Sequence, residues 1–294
     1  MKIAIFGQFY HNTSGESITT LYDFLEKKEV EVFIEKEYFS LLKSKKVILN
    51  QYESFKTYTE IDNSFDLLIS IGGDGTILRA ITYVKNSGIP IIGINTGRLG
   101  FLATIQDDEI EGALTSIFNN DYKISERSLL QIETNPINEN LVQLNFALNE
   151  IAVSRKNTTS MITVQTQLND EYLTSYWADG LIVSTPTGST GYSLSCGGPV
   201  ITPGSNNIVL TPIAPHNLNA RPLVIPDDTE IKLKVSGREN NYLVSLDSRI
   251  ATLENNTIVI IKKADFKIRM IELKNESFLR TLRKKLLWGE DKRN

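Results

Sequence analysis

Apolar residues along this chain follow two different spacings, and the change between them falls near Lys123. Before it, short β-branched runs at Lys2 to Phe6, Glu31 to Ile34, Asp66 to Ile71 and Ile89 to Asn95 predict strands, the last two covered on both faces. Helical spacing lies between them: Ile18, Leu21, Tyr22, Phe24 and Leu25 within Ser17 to Lys28, then Thr76 to Val84, then Ile110, Ala113, Leu114, Ile117 and Phe118 within Asp107 to Asn119. Gly88 and Pro90 stop the second of these helices. Gly7 to Gly15 reads as a loop, and Tyr38 to Tyr58 as a mixed, mostly surface region.

After Lys123 the runs become short and often alternating: Leu129 to Thr134, Leu141 to Leu148, Ile151 to Ser154, Ile162 to Leu168 and Tyr172 to Tyr176. Leu181 to Ser184, Ile208 to Ile213, Glu230 to Val235, Asn241 to Leu246 and Thr257 to Lys262 continue the series, with turn residues such as Asn169-Asp170 between. Helical spacing returns over Ser277 to Trp288, where Phe278, Leu279, Leu282, Leu286 and Leu287 oppose Arg280, Arg283, Lys284 and Lys285. Strands in a block after a βα half argue for separate layers. The expected architecture is therefore an α/β domain over 1–122, a β-rich domain over 123–274, and a C-terminal helix over 275–294 packed back on the first.

Composition narrows the partners. At 294 residues, 41% hydrophobic and 22% charged, the chain is long enough for two cores. A net charge of −4 without a Lys/Arg block argues against nucleic acid or an anionic membrane as the main partner. Cys196 is the one cysteine, and His11 and His216 have no ligand-like spacing to it, so neither an internal disulfide nor a zinc site is expected. No apolar run reaches eighteen residues and the N-terminal one is too short for a signal peptide, which places the expected protein in the cytoplasm.

Candidate chemistry concentrates at Gly72-Gly73-Asp74-Gly75-Thr76, where a buried strand ends and a helix begins. Residues without Cβ admit close approach to the backbone, and amides at a helix N-terminus bind anions. An aspartate beside phosphates holds a metal, accepts a proton from an attacking hydroxyl or grips a sugar hydroxyl, all of them options in kinase chemistry. The plain alternative is a tight turn with an Asp cap. The loop Asn95 to Leu102, with two glycines flanking Arg98, either walls the same pocket or merely connects two elements.

The stretch from Ser175 to Pro199 is dense in hydroxyls and glycines. It reads either as a Gly/Ser-rich surface loop or as a ring of donors around sugar hydroxyls with Tyr192 against a base. Gly-x-Ser-x-Gly, a Walker-type Gly-Lys-Ser/Thr and Gly-x-Gly-x-x-Gly are all absent, which lowers serine hydrolases, P-loop NTPases and ordinary dinucleotide dehydrogenases.

Taken together and in order, the Gly72 to Thr76 turn, Asn95 to Leu102, Leu148-Asn149-Glu150, Asp179-Gly180 with Thr185 to Ser195, Ala220-Arg221-Pro222-Leu223 and the tail Leu282 to Trp288 resemble the NAD kinases over nearly the whole chain. The glycine turn alone is shared with diacylglycerol-type lipid kinases and phosphofructokinases. The resemblance implies a Rossmann-like three-layer α/β domain, a β-sandwich-like second domain, and transfer of the γ-phosphate of ATP, carried with Mg2+, to the 2′-hydroxyl of the adenosine ribose of NAD. It assigns Asp74 as proton acceptor, with Gly75 and Arg79 near the phosphates and Gly72, Gly73, Gly75 and Thr76 holding phosphate oxygens. Asn149 and Glu150 are matched to the adenine and its ribose, and Thr190, Gly191, Tyr192, Ser193, Leu194 and Ser195 to the adenosine loop. Asp179 and Ala214 are matched to positions near the nicotinamide amide that a neighbouring subunit supplies, which implies a homodimer or homotetramer. Trp177 stands where many bacterial relatives carry a basic residue, and Arg249 where they carry glutamine; Arg249 either places a cation near the new phosphate or is a surface arginine, the second being the expectation. The other readings to be tested are a lipid kinase and a catalytically silent nucleotide sensor.

Overall fold

The computed structural model describes residues 1–8, 15–28, 30–47, 55–157, 160–274 and 276–288. Most of the expected loop from Gly7 to Gly15, with His11, and residues 48–54 of the mixed region lie outside this set. The chain forms two compact units, one of residues 1–126 and 268–294, the other of residues 127–267.

In chain order the first unit contains β1 (Lys2–Gly7), α1 (Gly15–Glu26), β2 (Glu31–Glu35), α2 (Lys36–Ser44), β3 (Lys56–Tyr58), β4 (Leu67–Ile71), α3 (Asp74–Val84), β5 (Ile91–Ile94) and α4 (Ile110–Phe118). Strands β5-β4-β1-β2-β3 form a parallel sheet in that order. Alternate residues face opposite ways along a strand. Ile3 and Ile5, with Leu67, Ile69 and Ile71, join a core with Ile18, Leu21 and Leu25 of α1 and Ile110, Leu114 and Ile117 of α4. Ala4 and Leu68, the intervening residues, are buried too but outside that core, as are Ile77, Ala80, Ile81 and Val84 of α3. Both faces are covered, which is why these strands read as unbroken apolar runs.

The next elements are β6 (Tyr122–Asn135), α5 (Glu139–Val142), β7 (Phe146–Ala147), β8 (Glu150–Arg155), β9 (Ile162–Leu168), β10 (Glu171–Ala178), β11 (Gly180–Ser184) and α6 (Tyr192–Ser195). They are followed by β12 (Asn207–Ile213), β13 (Leu223–Pro226), β14 (Ile231–Gly237), β15 (Asn241–Leu246), β16 (Arg249–Glu254), β17 (Ile258–Leu273) and α7 (Phe278–Leu286). In the second unit β10-β9-β14-β17 and β13-β12-β11-β8-β15-β16 are antiparallel neighbours in two sheets. Their inner residues, among them Val164, Leu233 and Ile261 from one sheet and Val153, Val183, Tyr242 and Val244 from the other, form a single apolar layer. The expected turn at Asn169-Asp170 has φ of 48° and 67°, the left-handed pair that a tight hairpin demands.

Several expectations are corrected. The described part of Tyr38 to Tyr58 is mixed but not without structure: Glu35 accepts the Tyr38 N–H at 2.9 Å to cap α2, whose Tyr38 and Leu42 are buried. Leu141 to Leu148 is not a strand, because Asn138 caps the short helix α5 and only Phe146–Ala147 pairs. The strands β13 and β16 were not expected. The two compact units divide at 126/127 and 267/268, inside the long strands β6 and β17.

Candidate active site

Order β3-β2-β1-β4-β5 places a reversal of strand order between β1 and β4, and ligands of such sheets sit beyond the carboxyl ends of the strands at that point. Gly7 and Gln8 end β1, and Gly72 follows β4. Gln8, its amide oxygen turned toward Arg79, accepts from Nε at 3.1 Å and Nη1 at 2.7 Å, so the exposed Arg79 is tied across the reversal. Gly72 has φ of 145°, and a Cβ there would lie 2.3 Å from Thr76 Oγ1. Gly73 caps α3 without a side chain, and the space around Gly73 and Gly75 is open. The first-turn amides of α3 thus face a clear approach, the arrangement that binds an anion.

Asp74 is the first helical residue and not the cap. Its carboxylate is held from the Asn95–Ile105 segment: Oδ2 accepts from the Phe101 N–H at 2.8 Å, and Oδ1 from Leu102 and Ala103, each at 3.0 Å. A carboxylate has about four acceptor positions, so one remains, on Oδ2. Gly100 lies against the same group, where a Cβ would come within 1.9 Å of Oδ1. The segment is itself stitched by buried Asn95, which donates to the carbonyls of Arg98 and Ala103 at 2.8 and 3.1 Å. Beyond it stands α7. Lys285 Nζ donates to the Leu99 carbonyl, Phe278 meets Phe101 at 6.4 Å between ring centres, and Thr104 donates to Glu276 at 2.8 Å. Burial raises the Glu276 carboxyl above its usual range. Arg98 is exposed.

The second unit gathers Asn149, Glu150 and the hydroxyl-rich stretch where β8 begins and β11 and β15 end. Thr185 bridges them, its N–H on the Asn149 carbonyl at 2.9 Å and its hydroxyl on the Leu148 carbonyl at 2.6 Å. Gly188 is forced by proximity, since a Cβ would lie 2.0 Å from the Asn149 carbonyl. The stretch is not a surface loop: residues 181–189 are buried, and it turns through Gly188–Thr190 into α6. Many of its hydroxyls serve the fold. Ser189 bonds Pro186 and Ile201, Thr190 the Thr187 carbonyl, and the fully buried Ser193 the Thr211 hydroxyl. Tyr192 and Ser195 are exposed and Leu194 half-buried. Gly191 sits beside the pair, where a Cβ would lie 3.1 Å from Glu150 Oε2 and 3.5 Å from Asn149 Nδ2. Within the pair itself, Asn149 Oδ1 and Glu150 Oε2 are buried without a hydrogen-bond partner.

Asp247 explains how that dipeptide is held. Its buried carboxylate accepts from the N–H groups of Leu148, Asn149 and Glu150 at 3.0, 2.8 and 3.3 Å. Arg249 is not on the surface: it donates to the carbonyls of Leu144 (2.7 Å) and Phe146, lies over the Phe146 ring, and reaches within 3.8 Å of Asp247. Burial, and then the charge of Asp247, push the Glu150 carboxyl up to about 8. Asp247, though also raised by burial, has three amides and a guanidinium to favour its anion, so the charge of the pair resides there.

Asp179 and Ala214 lie at the other end of β11. Asp179 pairs with Arg155 at 2.8 Å, its N–H bonds the Ile213 carbonyl, and the exposed Ala214 follows with φ of 42°. Five strand residues, about 15 Å, separate them from Glu150. The Tyr192 phenol is raised by burial first and then by the charges of Cys196, Asp179 and Glu150. Trp177 stacks on His216 at 4.3 Å between ring centres. Gly100, Asp247 and Arg249 are the structural participants that sequence reasoning did not assign.

A Rossmann-like unit whose helix start is open to an anion beside a fixed carboxylate, and a β-sandwich whose Asn149 and Glu150 each keep a buried oxygen without a partner, fit the class of nucleotide-dependent phosphotransferases. Residues 3–122 match the ATP-NAD kinase N-terminal domain and residues 148–273 the ATP-NAD kinase C-terminal domain. The chain is 62% identical, over all 294 residues and the full length of each relative, to the NAD kinases of Flavobacterium psychrophilum and Christiangramia forsetii. Among solved structures, yeast NADH kinase complexed with NADH has a TM-score of 0.87 at 22% identity, covering 99% of this chain and 88% of that one. An NAD kinase from Archaeoglobus fulgidus in complex with ATP has a TM-score of 0.74 at 26% identity, covering 98% and 99%. This chain belongs to the ATP-NAD kinase family, and its activity is the phosphorylation of NAD by ATP. The lipid-kinase and silent-sensor readings are not supported.

Proposed function

We propose that the two units divide the reaction by chemistry. The second unit recognises the adenosine of NAD through Asn149, Glu150, Gly191, Tyr192 and the backbone of 193–195, with Thr190 bracing the turn. The first unit handles phosphate and proton. The amides at the start of α3, those of Gly73 and Gly75 foremost, hold phosphate oxygens, Gly72 and Thr76, whose N–H groups bond the Ile94 and Gly73 carbonyls, shape the turn, and Arg79, steadied by Gln8, adds positive charge. The 2′-oxygen of the adenosine ribose forms its bond to the γ-phosphorus as the bond to ADP breaks, and the hydroxyl proton passes to Asp74. The observation that carries this reading is the single free acceptor position left on Asp74 after three amides have fixed the rest of its carboxylate. Positioning then supplies most of the effect.

Magnesium enters on the triphosphate as part of the donor. Among the described residues no three His, Cys, Asp or Glu side chains gather to hold an ion, so phosphate oxygens and water supply most of its ligands. Asp179 and Ala214, at the far end of β11, serve the nicotinamide of NAD bound to a neighbouring copy, which makes the working form a homodimer or homotetramer. The compartment is the cytoplasm; among the described residues no helix is long and apolar enough to cross a membrane. The test is NADP formation from NAD, ATP and magnesium, read by an NADP-specific dehydrogenase, with NADH and polyphosphate in parallel. Magnesium-dependent NADP production lost in Asp74→Asn is the expected result; full turnover by that variant overturns the role of Asp74.

A further inference from the structure

Glu150 begins β8 with a carboxyl group that the fold leaves incomplete. The Tyr192 N–H faces it as a donor, yet Oε2 is buried and without a partner. The charges around it come from every element packed there. Asp247, after β15, is the charge that acts on it; Arg249 reaches within 3.8 Å of Asp247, its guanidinium engaged with Leu144 and Phe146; Tyr192 of α6 supplies the facing N–H, while Cys196 and Asp179 act on the Tyr192 phenol and not on Glu150. The three amides of residues 148–150 all point at Asp247, so the backbone that carries Glu150 also carries the neighbouring anion. Two buried carboxyls this close do not both ionise.

We propose that Glu150 meets the nucleotide as a neutral carboxylic acid whose Oε2 donates a hydrogen bond to an acceptor on the adenosine moiety, and that Asp247 is the positioning residue that holds it in that state. Asp247 acts through the amides of 148–150 and touches no substrate. The unpartnered Oε2 is then a donor awaiting an oxygen or ring nitrogen. An anionic Glu150 would instead accept from ribose hydroxyls. The inference rests on the reading of Asn149 and Glu150 as part of the NAD site, and the experiment separates the two.

The experiment is calorimetric titration of NAD into the full-length protein, without ATP, from about pH 6.5 to about pH 9.5. Wild-type affinity is expected to be flat below the inflection near 8 and to fall about tenfold per pH unit above it. Glu150→Gln keeps a donor that does not titrate, so its profile loses the inflection and crosses above wild type at the alkaline end. Asp247→Asn removes the neighbouring charge, and the inflection moves to lower pH, a displacement that a merely structural role would not produce. Weaker binding by Glu150→Gln that worsens toward high pH overturns the proposal, as does an unmoved inflection in folded Asp247→Asn. If the latter variant does not fold, the Glu150→Gln crossing decides alone. Glu150→Ala that binds NAD like wild type at every pH refutes instead the placement of Glu150 in the site.

Discussion

Asp74 and Glu150 are both acids at the first residue of an element, yet the chain surrounds them in opposite ways. Asp74 opens α3 within reach of three backbone N–H groups that fix its carboxylate, with Gly100 pressed against it. Glu150 opens β8 with its neighbouring amides pointed at a different acid, Asp247, and one oxygen without a partner. The same side-chain chemistry is held rigid by backbone donors in one place and kept protonated by burial and a neighbouring acid in the other. What differs is whether the local amides serve the acid itself: at Glu150 burial acts first, and the charge of Asp247, which those amides hold, adds to it.

The comparison is broken most severely at Asp74. Asp74→Asn turns an acceptor into a donor that faces N–H groups, and turnover should fall by roughly 10²- to 10⁴-fold while NAD binding persists, read by steady-state kinetics beside calorimetry. Next is Gly100→Ala, whose new methyl group occupies the position of Asp74 Oδ1; the displaced carboxylate should lower kcat by about a hundredfold, since misplacement of about 1 Å has that cost. If kcat is unchanged, the amide cradle is not what orients Asp74.

A third way to sharpen the contrast is pH. Glu150 has an unperturbed value of 4.5 and a folded value of about 8, so between those limits the native chain retains a proton that the unfolded chain has released. Its contribution is fully present below 4.5, declines as pH rises through the window, and is lost above about 8. Urea unfolding midpoints at several pH values should show that decline in wild type and a shallower one in Glu150→Gln. Arg249→Gln removes the charged donor to the Leu144 and Phe146 carbonyls and should destabilise by about 1–2 kcal/mol in the same measurement. The smallest effect is expected from Lys285→Ala, which frees the Leu99 carbonyl and loosens the cradle from outside: a few-fold loss of kcat with KM for NAD unchanged.

How much of this was legible depended on the range of the interactions. The unbroken apolar runs of β1, β4 and β5, the period of α1, α3 and α4, and the hydroxyl-rich stretch all carry their meaning locally, so they could be read in order. α2 could not, because its anchor is a glutamate cap and only two of its side chains, Tyr38 and Leu42, are buried. Gly100 stood out as one of two glycines around an arginine, but its partner lies at position 74 and nothing local links them. Asp247 drew no assignment, and Arg249 stood out only as a departure from the relatives and was placed on the surface. Its actual partners, Leu144 and Phe146, lie about a hundred residues earlier.

The first unit is written in two pieces, residues 1–126 and 268–294, with the second unit between. The cradle of Asp74 is braced by Glu276, Phe278 and Lys285, so the segment that steadies the acid is the last part of the unit to be synthesised. At about 5–20 residues per second, roughly 8–30 s separate emergence of the Asn95–Ile105 segment's own unit boundary from emergence of α7. A nascent chain can therefore carry every residue of the contiguous second unit while the first still lacks α7 and, with it, the outer brace of Asp74.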